Sequence, residues 1–107
     1  LKLFGKGEAI RDYIFIDDVV RAMIFAAKKP GSFTTNISSG IGYSVMEIVD
    51  AVERVTGLTI EKEFIPPRDG DVLTNVLANN RAREIYGWVP ETSLEEGLGL
   101  TWEWMNK

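Results

Sequence analysis

Ala9-Ile10-Arg11-Asp12-Tyr13-Ile14-Phe15-Ile16-Asp17-Asp18 is the stretch whose reading sets the fold class. Ala9 to Ile16 is a β-prone run, and Ile10, Tyr13, Ile14, Phe15 and Ile16 make it apolar enough to be buried in part on both faces. The period then changes. Asp17 or Asp18 offers a carboxylate cap, and Val19, Val20, Met23, Ile24 and Ala27 recur at helical spacing to about Lys29. Pro30-Gly31 stops that helix. A strand that hands directly to a helix puts the chain among mixed folds.

Towards the N-terminus, Leu1 to Phe4 is a second β-prone run, and Gly5-Lys6-Gly7 between the two predicts a hairpin. Towards the C-terminus, Phe33 to Ile37 reads as a short strand and Ser38-Ser39-Gly40-Ile41-Gly42 as a loop of small residues. Ser44-Val45-Met46-Glu47 is a capping box, and Val45, Ile48, Val49, Val52 and Val55 share one face of the helix it opens, which Gly57 ends. Thr59 to Ile65 and Val72 to Ala78 read as extended, with Pro66 to Asp71 as the loop between them. Asn79 or Asn80 caps a short helix to Tyr86, ended by Gly87, and Trp88-Val89-Pro90 forms a turn. Ser93-Leu94-Glu95-Glu96 is a second capping box, whose helix turns Leu94, Leu98, Trp102 and Met105 inward. About four helices with few, short strands make this a small α+β, or minor α/β, domain.

The 107 residues allow one domain and one modest core. An apolar share of 45% argues against disorder. The 16 acidic and 12 basic residues are interspersed, and no basic run is longer than Lys28-Lys29, which argues against a nucleic-acid partner. No apolar stretch approaches the ~18 residues of a membrane span, and no signal-peptide pattern stands at Leu1. Cysteine and histidine are both absent, which removes thiolate nucleophiles, the commonest general base and the commonest metal ligands. These features point to a cytoplasmic protein. Leu1-Lys2-Leu3-Phe4-Gly5 reads as a strand already under way, as in a piece of a longer chain.

Two segments carry chemistry. Pro66-Pro67-Arg68-Asp69-Gly70-Asp71 sets one guanidinium between two φ-fixing prolines and a glycine turn. A planar fork of donors held there suits a phosphate or a carboxylate; the alternative is a solvated charged turn. Arg11 in Arg11-Asp12-Tyr13 stands within an apolar strand, either as half of a strand-face ion pair or as a second fork. If Arg11 and Arg68 converge, together they clamp a pyrophosphate. Asp12, Asp17, Asp18, Asp69 and Asp71 could supply an acid/base pair or a magnesium site, although aspartates before a helix are more often caps and dipole partners. Gly40-Ile41-Gly42 invites a phosphate-loop reading, yet lacks the third glycine and any following Lys-Ser/Thr. Trp88, Trp102 and Trp104 read as packing anchors rather than a stacking platform.

Four blocks, in order, carry a resemblance to a known family. They are Gly5-Lys6-Gly7 through Arg11-Asp12-Tyr13 to Asp17-Asp18; Asn36-Ile37-Ser38-Ser39-Gly40 with Ser44 to Ile48; Pro67-Arg68-Asp69-Gly70-Asp71; and Gly87-Trp88-Val89-Pro90 with Ser93 to Leu98. They span essentially the whole chain. Together they resemble the C-terminal part of the NAD-dependent epimerase/dehydratase family, extended short-chain dehydrogenases/reductases acting on nucleotide sugars, with UDP-glucose 4-epimerase the nearest type. The resemblance implies that residues 1–107 are the nucleotide-sugar-binding domain of a larger enzyme. It implies Arg11 and Arg68 as ligands of the diphosphate of a UDP- or dTDP-sugar, and Asp71 as acceptor for a ribose hydroxyl. Asp18 matches a recurrent family aspartate at a helix start. Asn79 stands where many members carry aspartate. The family's Tyr-x-x-x-Lys pair is absent: Tyr13, Tyr43 and Tyr86 are followed at the fourth position by Asp17, Glu47 and Pro90. No catalytic or NAD-binding residue is therefore expected here. By the same resemblance, NAD and catalysis belong to a Rossmann domain that precedes this part, and that domain is a partner together with a possible second copy. Dehydratase or decarboxylase chemistry, or a non-catalytic binding module, are the alternatives.

Overall fold

The computed structural model describes residues 1–107 and contains nine elements: β1 (Lys2–Phe4), β2 (Ile10–Asp12), α1 (Ile16–Lys28), β3 (Gly42–Ser44), α2 (Val45–Thr56), β4 (Glu63–Ile65), β5 (Thr74–Asn75), α3 (Asn80–Tyr86) and α4 (Leu94–Met105). Four helices and five strands of two or three residues make a small α+β domain. No helix is long and apolar enough to cross a membrane.

The predicted hairpin does not form. β1 pairs in parallel with β4, Phe4 opposite Ile65, while β2 lies between β3, antiparallel, and β5, parallel. The glycines Gly5 and Gly7 do turn the chain, with φ of +62° and +71°, but they carry it from one sheet to another instead of folding it back on itself. Nearness in sequence favoured a local pairing; β1 and β2 instead found parallel partners some 60 residues away, where Gly5 N–H donates to Ile65 O at 2.8 Å and Ile10 N–H to Leu73 O at 2.7 Å. The segment from Phe33 to Ile37 joins no ladder, and its Phe33 ring instead meets Tyr86 edge-on, with centroids 6.1 Å apart.

α2 forms as its sequence dictates. Ser44 Oγ accepts from Glu47 N–H at 3.1 Å, the Glu47 carboxylate accepts from Ser44 N–H at 2.7 Å, and Gly57 closes the helix at φ +73°. Ser93 caps α4 by accepting from Glu96 N–H at 3.2 Å. Leu94, Leu98 and Trp102 are half-buried on its inner side, whereas Met105 is exposed on the last turn. Asn79 precedes α3 without capping it; its Nδ2 donates to Ser38 O at 2.9 Å and ties the small-residue loop to the helix start.

The interior is small. Ala22 of α1 and Ala82 of α3 let the two helices approach closely, and Trp88 fills the space beside them, with Ile14, Phe25, Ile37 and Tyr86 packed around. α2 lies along α4, and Gly97 is buried against Phe15, whose ring a Cβ there would meet tightly at 3.2 Å.

Asp17 and Asp18 do not cap α1. Phe15 is the N-cap, without a side-chain bond. Asp18, one turn further on, is only 1% exposed and points away from its own helix start. Its carboxylate accepts from Glu91 N–H and Thr92 N–H, both at 3.1 Å, and from Arg21 Nη1 at 2.8 Å; its carbonyl accepts from Trp88 Nε1 at 2.9 Å. Arg21 also reaches Val89 O and lies over the Trp88 ring. One buried carboxylate thus ties α1 to the 88–92 turn.

Candidate functional site

β1 and β2 sit in different sheets, yet both border one cleft. It has a volume of about 220 Å³, and Leu3 and Val45 line it together with Lys2, Phe4, Ala9, Arg11, Arg68 and Asp71. Arg11 and Arg68, 57 positions apart in sequence, therefore converge, and Asp71 joins them.

Each side chain reaches the cleft for a local reason. Arg11 is central in β2, paired with Tyr43 on one side and Asn75 on the other. Its Nη1 donates to Ile10 O at 2.8 Å and to Leu73 O at 3.5 Å, which fixes the stem and leaves most of its five donors available. Arg68 follows Pro66-Pro67, which leave the end of β4 at Ile65, opposite Phe4. Those two residues of fixed φ carry the chain back over β1, where the Arg68 guanidinium carbon lies 4.4 Å from the centre of the Phe4 ring. Gly70, at φ +79°, turns the chain so that Asp71 Oδ2 comes to 3.4 Å from Arg68 Nε. Arg68 and Asp71 remain 64% and 41% exposed, so the pair is open to an incoming ligand and adds little stability by itself.

Lys2 and Phe4 were missed in the sequence. The signal was the period of two along β1: Leu3 is buried, which leaves Lys2 and Phe4 on either side of it exposed beside the cleft. Lys2, Arg11 and Arg68 against Asp71 leave an excess of two positive charges.

The other candidates resolve into structural roles. The N–H groups of the small-residue loop are already occupied: Asp12 accepts from Ser39 N–H at 2.9 Å, Ser39 Oγ at 2.6 Å and Gly40 N–H at 2.8 Å. The loop is thus a cradle for a carboxylate of its own chain, not for a phosphate. Gly42 is required by packing, since a Cβ there would stand 2.6 Å from Val76 and 2.7 Å from Ile10. Asp18 is saturated as described, Asp17 is exposed on the first turn of α1, and no group of three or more His, Cys, Asp or Glu could hold a metal. Burial raises the Asp18 carboxyl pKa, but the N–H groups of Glu91 and Thr92 and the Arg21 guanidinium outweigh it and hold the group below its ordinary value. Trp88 and Trp102 pack; Trp104 is exposed.

Residues 1–101 match the family described as GDP-mannose 4,6 dehydratase. The chain belongs to the NAD-dependent epimerase/dehydratase family. UDP-glucose 4-epimerase of Mycolicibacterium smegmatis is 42% identical over 103 residues, which are 95% of this chain and 33% of that protein. The UDP-glucose 4-epimerase of Thermotoga maritima, solved with UDP-glucose, superposes with a TM-score of 0.92 at 42% identity over 99% of this chain and 34% of that one. MoeE5, solved with UDP-glucuronic acid and NAD, superposes at 0.91 with 32% identity over 99% of this chain and 36% of that one. The chain thus spans about a third of the length of the epimerase/dehydratase relatives it matches.

Proposed function

We propose that the chain is the substrate-anchoring third of a longer nucleotide-sugar epimerase of the UDP-glucose 4-epimerase kind, and that its cleft grips the diphosphate. The convergence of Arg11 and Arg68 in one open cleft carries this reading. Two guanidinium forks match the oxygens of a pyrophosphate, and the excess of two positive charges mirrors the two negative charges of a diphosphate diester. Asp71 accepts a ribose hydroxyl once the diphosphate draws Arg68 away from it. Lys2 adds charge at the rim. The relatives solved with UDP-sugars support the choice of nucleotide.

The domain's chemical contribution is orientation. Holding the inert end of the substrate by charge fixes where the sugar ring lies and turns a bimolecular encounter into a positioned one. This chain's residues do not fit an NAD site of their own. The strands are two or three residues long, in two separate small sheets, and the N–H groups of the one glycine-rich loop are bound to Asp12. A dinucleotide fold needs a parallel sheet whose glycine turn leaves those groups free. The 107-residue chain alone is accordingly expected to give no NAD titration signal by calorimetry; saturable heat with NAD would contradict that.

The anchoring role has a direct test. In the full-length protein, Arg68→Ala is expected to weaken UDP binding by about 1.5–3 kcal/mol, the worth of charge-assisted hydrogen bonds. Isothermal titration with UDP reads it, and an unchanged affinity removes Arg68 from the site.

A further inference from the structure

The direction of Arg11 depends on very short strands. β2 has three residues and its parallel partner β5 has two, so only Ile10 with Thr74 and Arg11 with Asn75 pair across the seam between them. The Arg11 guanidinium rests on both sides of that seam: Nη1 donates to Ile10 O at 2.8 Å and, across it, to Leu73 O at 3.5 Å. Any spreading of β2 from β5 would therefore redirect the fork. A ladder of two pairs is weak protection against that.

Just past the last paired residues, a clamp closes the seam. Asp12, next after Arg11, accepts from Ser39 N–H at 2.9 Å, Ser39 Oγ at 2.6 Å and Gly40 N–H at 2.8 Å. Ser38, which precedes them, is only 2% exposed, and its Oγ donates to Leu77 O at 2.8 Å, two residues beyond the end of β5. The loop Ser38-Ser39-Gly40 thus holds the ends of both β2 and β5. The same loop leads into β3, whose Gly42 stands opposite Asp12 on the other side of β2. Side chains alternate along a strand, and accordingly Arg11 lines the cleft while Asp12 does not.

We propose that Asp12 is a positioning residue: through Ser38-Ser39-Gly40 it locks β2 between β3 and β5 and so fixes the direction of the Arg11 guanidinium towards the diphosphate, an inference that rests on the anchoring role of Arg11. Asp12 acts through Arg11. Its own negative charge opposes an anion nearby, so its contribution is geometric and the test has a definite sign.

Double-mutant cycles on the full-length protein test this, with UDP as the probe and calorimetry as the readout. Asp12→Asn is expected to weaken UDP binding about fivefold, the worth of one misaligned hydrogen bond. The amide keeps the size of the carboxylate but turns its own N–H groups towards a loop donor. Removing a negative charge beside an anion site would alone strengthen binding, so a loss reports geometry and not charge. Ser39→Ala, which takes away one donor and leaves the carboxylate, is expected to weaken binding about twofold. In an Arg11→Ala background, Asp12→Asn is expected to cost nothing further, whereas in an Arg68→Ala background its cost should remain. A general loss of structure would lower affinity alike in both. If Arg11→Ala weakens UDP binding but Asp12→Asn and Ser39→Ala do not, the positioning role is overturned and the anchoring role stands. An Asp12→Asn loss that persists undiminished in the Arg11→Ala background also overturns it, and makes Asp12 a general support of the fold. If Arg11→Ala leaves UDP affinity unchanged, both fall together.

Discussion

Asp18→Ala is expected to cost about 3–5 kcal/mol of folding stability, because it strands the Arg21 charge and two N–H groups at a buried site. A domain of this size has about 5–15 kcal/mol in total, so the variant loses a large share of its stability. The size of the effect follows from what the carboxylate joins. Glu91 and Thr92 N–H groups and Arg21 all meet at this one carboxylate, beside Trp88, the largest buried side chain in the molecule, whose own bond to the Asp18 carbonyl the substitution leaves in place. Arg21 reaches Glu91 as well, at 3.2 Å, but that carboxylate is exposed and cannot substitute. Urea denaturation followed by tryptophan fluorescence measures the loss; a change below about 1 kcal/mol, the level of an ordinary surface cap, would mean the knot is dispensable.

The same residue sets an acid limit. Its folded pKa is held below the unfolded value of about 3.9, so the folded state favours the ionised form. The stabilisation is complete above the unfolded pKa and is lost as pH falls through the folded one. Between pH 5 and 3 the parent should lose more stability than Asp18→Asn, which has no charge to lose there. Parallel slopes for the two proteins would remove Asp18 as the cause.

Why some of this was legible and some was not is a matter of range. The Ser44 box and the Gly57 and Gly87 stops are settled within one helical turn, and they stand where the sequence puts them. Asp17-Asp18 has the same local grammar as a cap, but backbone N–H donors 73 and 74 residues away drew the Asp18 carboxylate off, and no local pattern reveals them. The hairpin failed for the same reason: two glycines specify a turn, not which strand lies beyond it. The convergence of Arg11 and Arg68 was conditional in the sequence, since it depends on β1 pairing with β4 and β2 with β5. Those pairings bring Lys2 and Phe4 into the cleft as well, which is why two lining residues escaped a reading that assigned β1 to β2.

The shape of the chain yields the largest expected effect. A folded monomer of 12.0 kDa exposes about 6,000 Å² and has a radius of gyration near 13 Å. This chain exposes 7511 Å², with a radius of 16.2 Å and a shortest dimension of 16 Å: it is a slab with two broad faces and little interior. On α1, Ile16, Val20, Met23 and Ile24 form an exposed stripe at helical spacing, and on α4, Leu100 and Trp104 lie one turn apart. Ile16, Leu100 and Trp104 line one shallow apolar cavity of about 680 Å³, which makes the two stripes continuous. Six such side chains, about half shielded already, gain about 5–10 kcal/mol when covered. That is comparable to the whole stability of a domain this size. If the remaining two-thirds of a longer protein covers this face, the amides of Ala22, Val49 and Ala51 should exchange a thousandfold or more faster in the 107-residue chain than in the full-length protein. The chain alone should also self-associate, and Met23→Lys with Trp104→Glu should return it to monomer without restoring protection. Equal exchange rates in the two proteins, with the short chain monomeric by sedimentation equilibrium, would mean that the slab is stable uncovered and that the apolar face has no partner to meet.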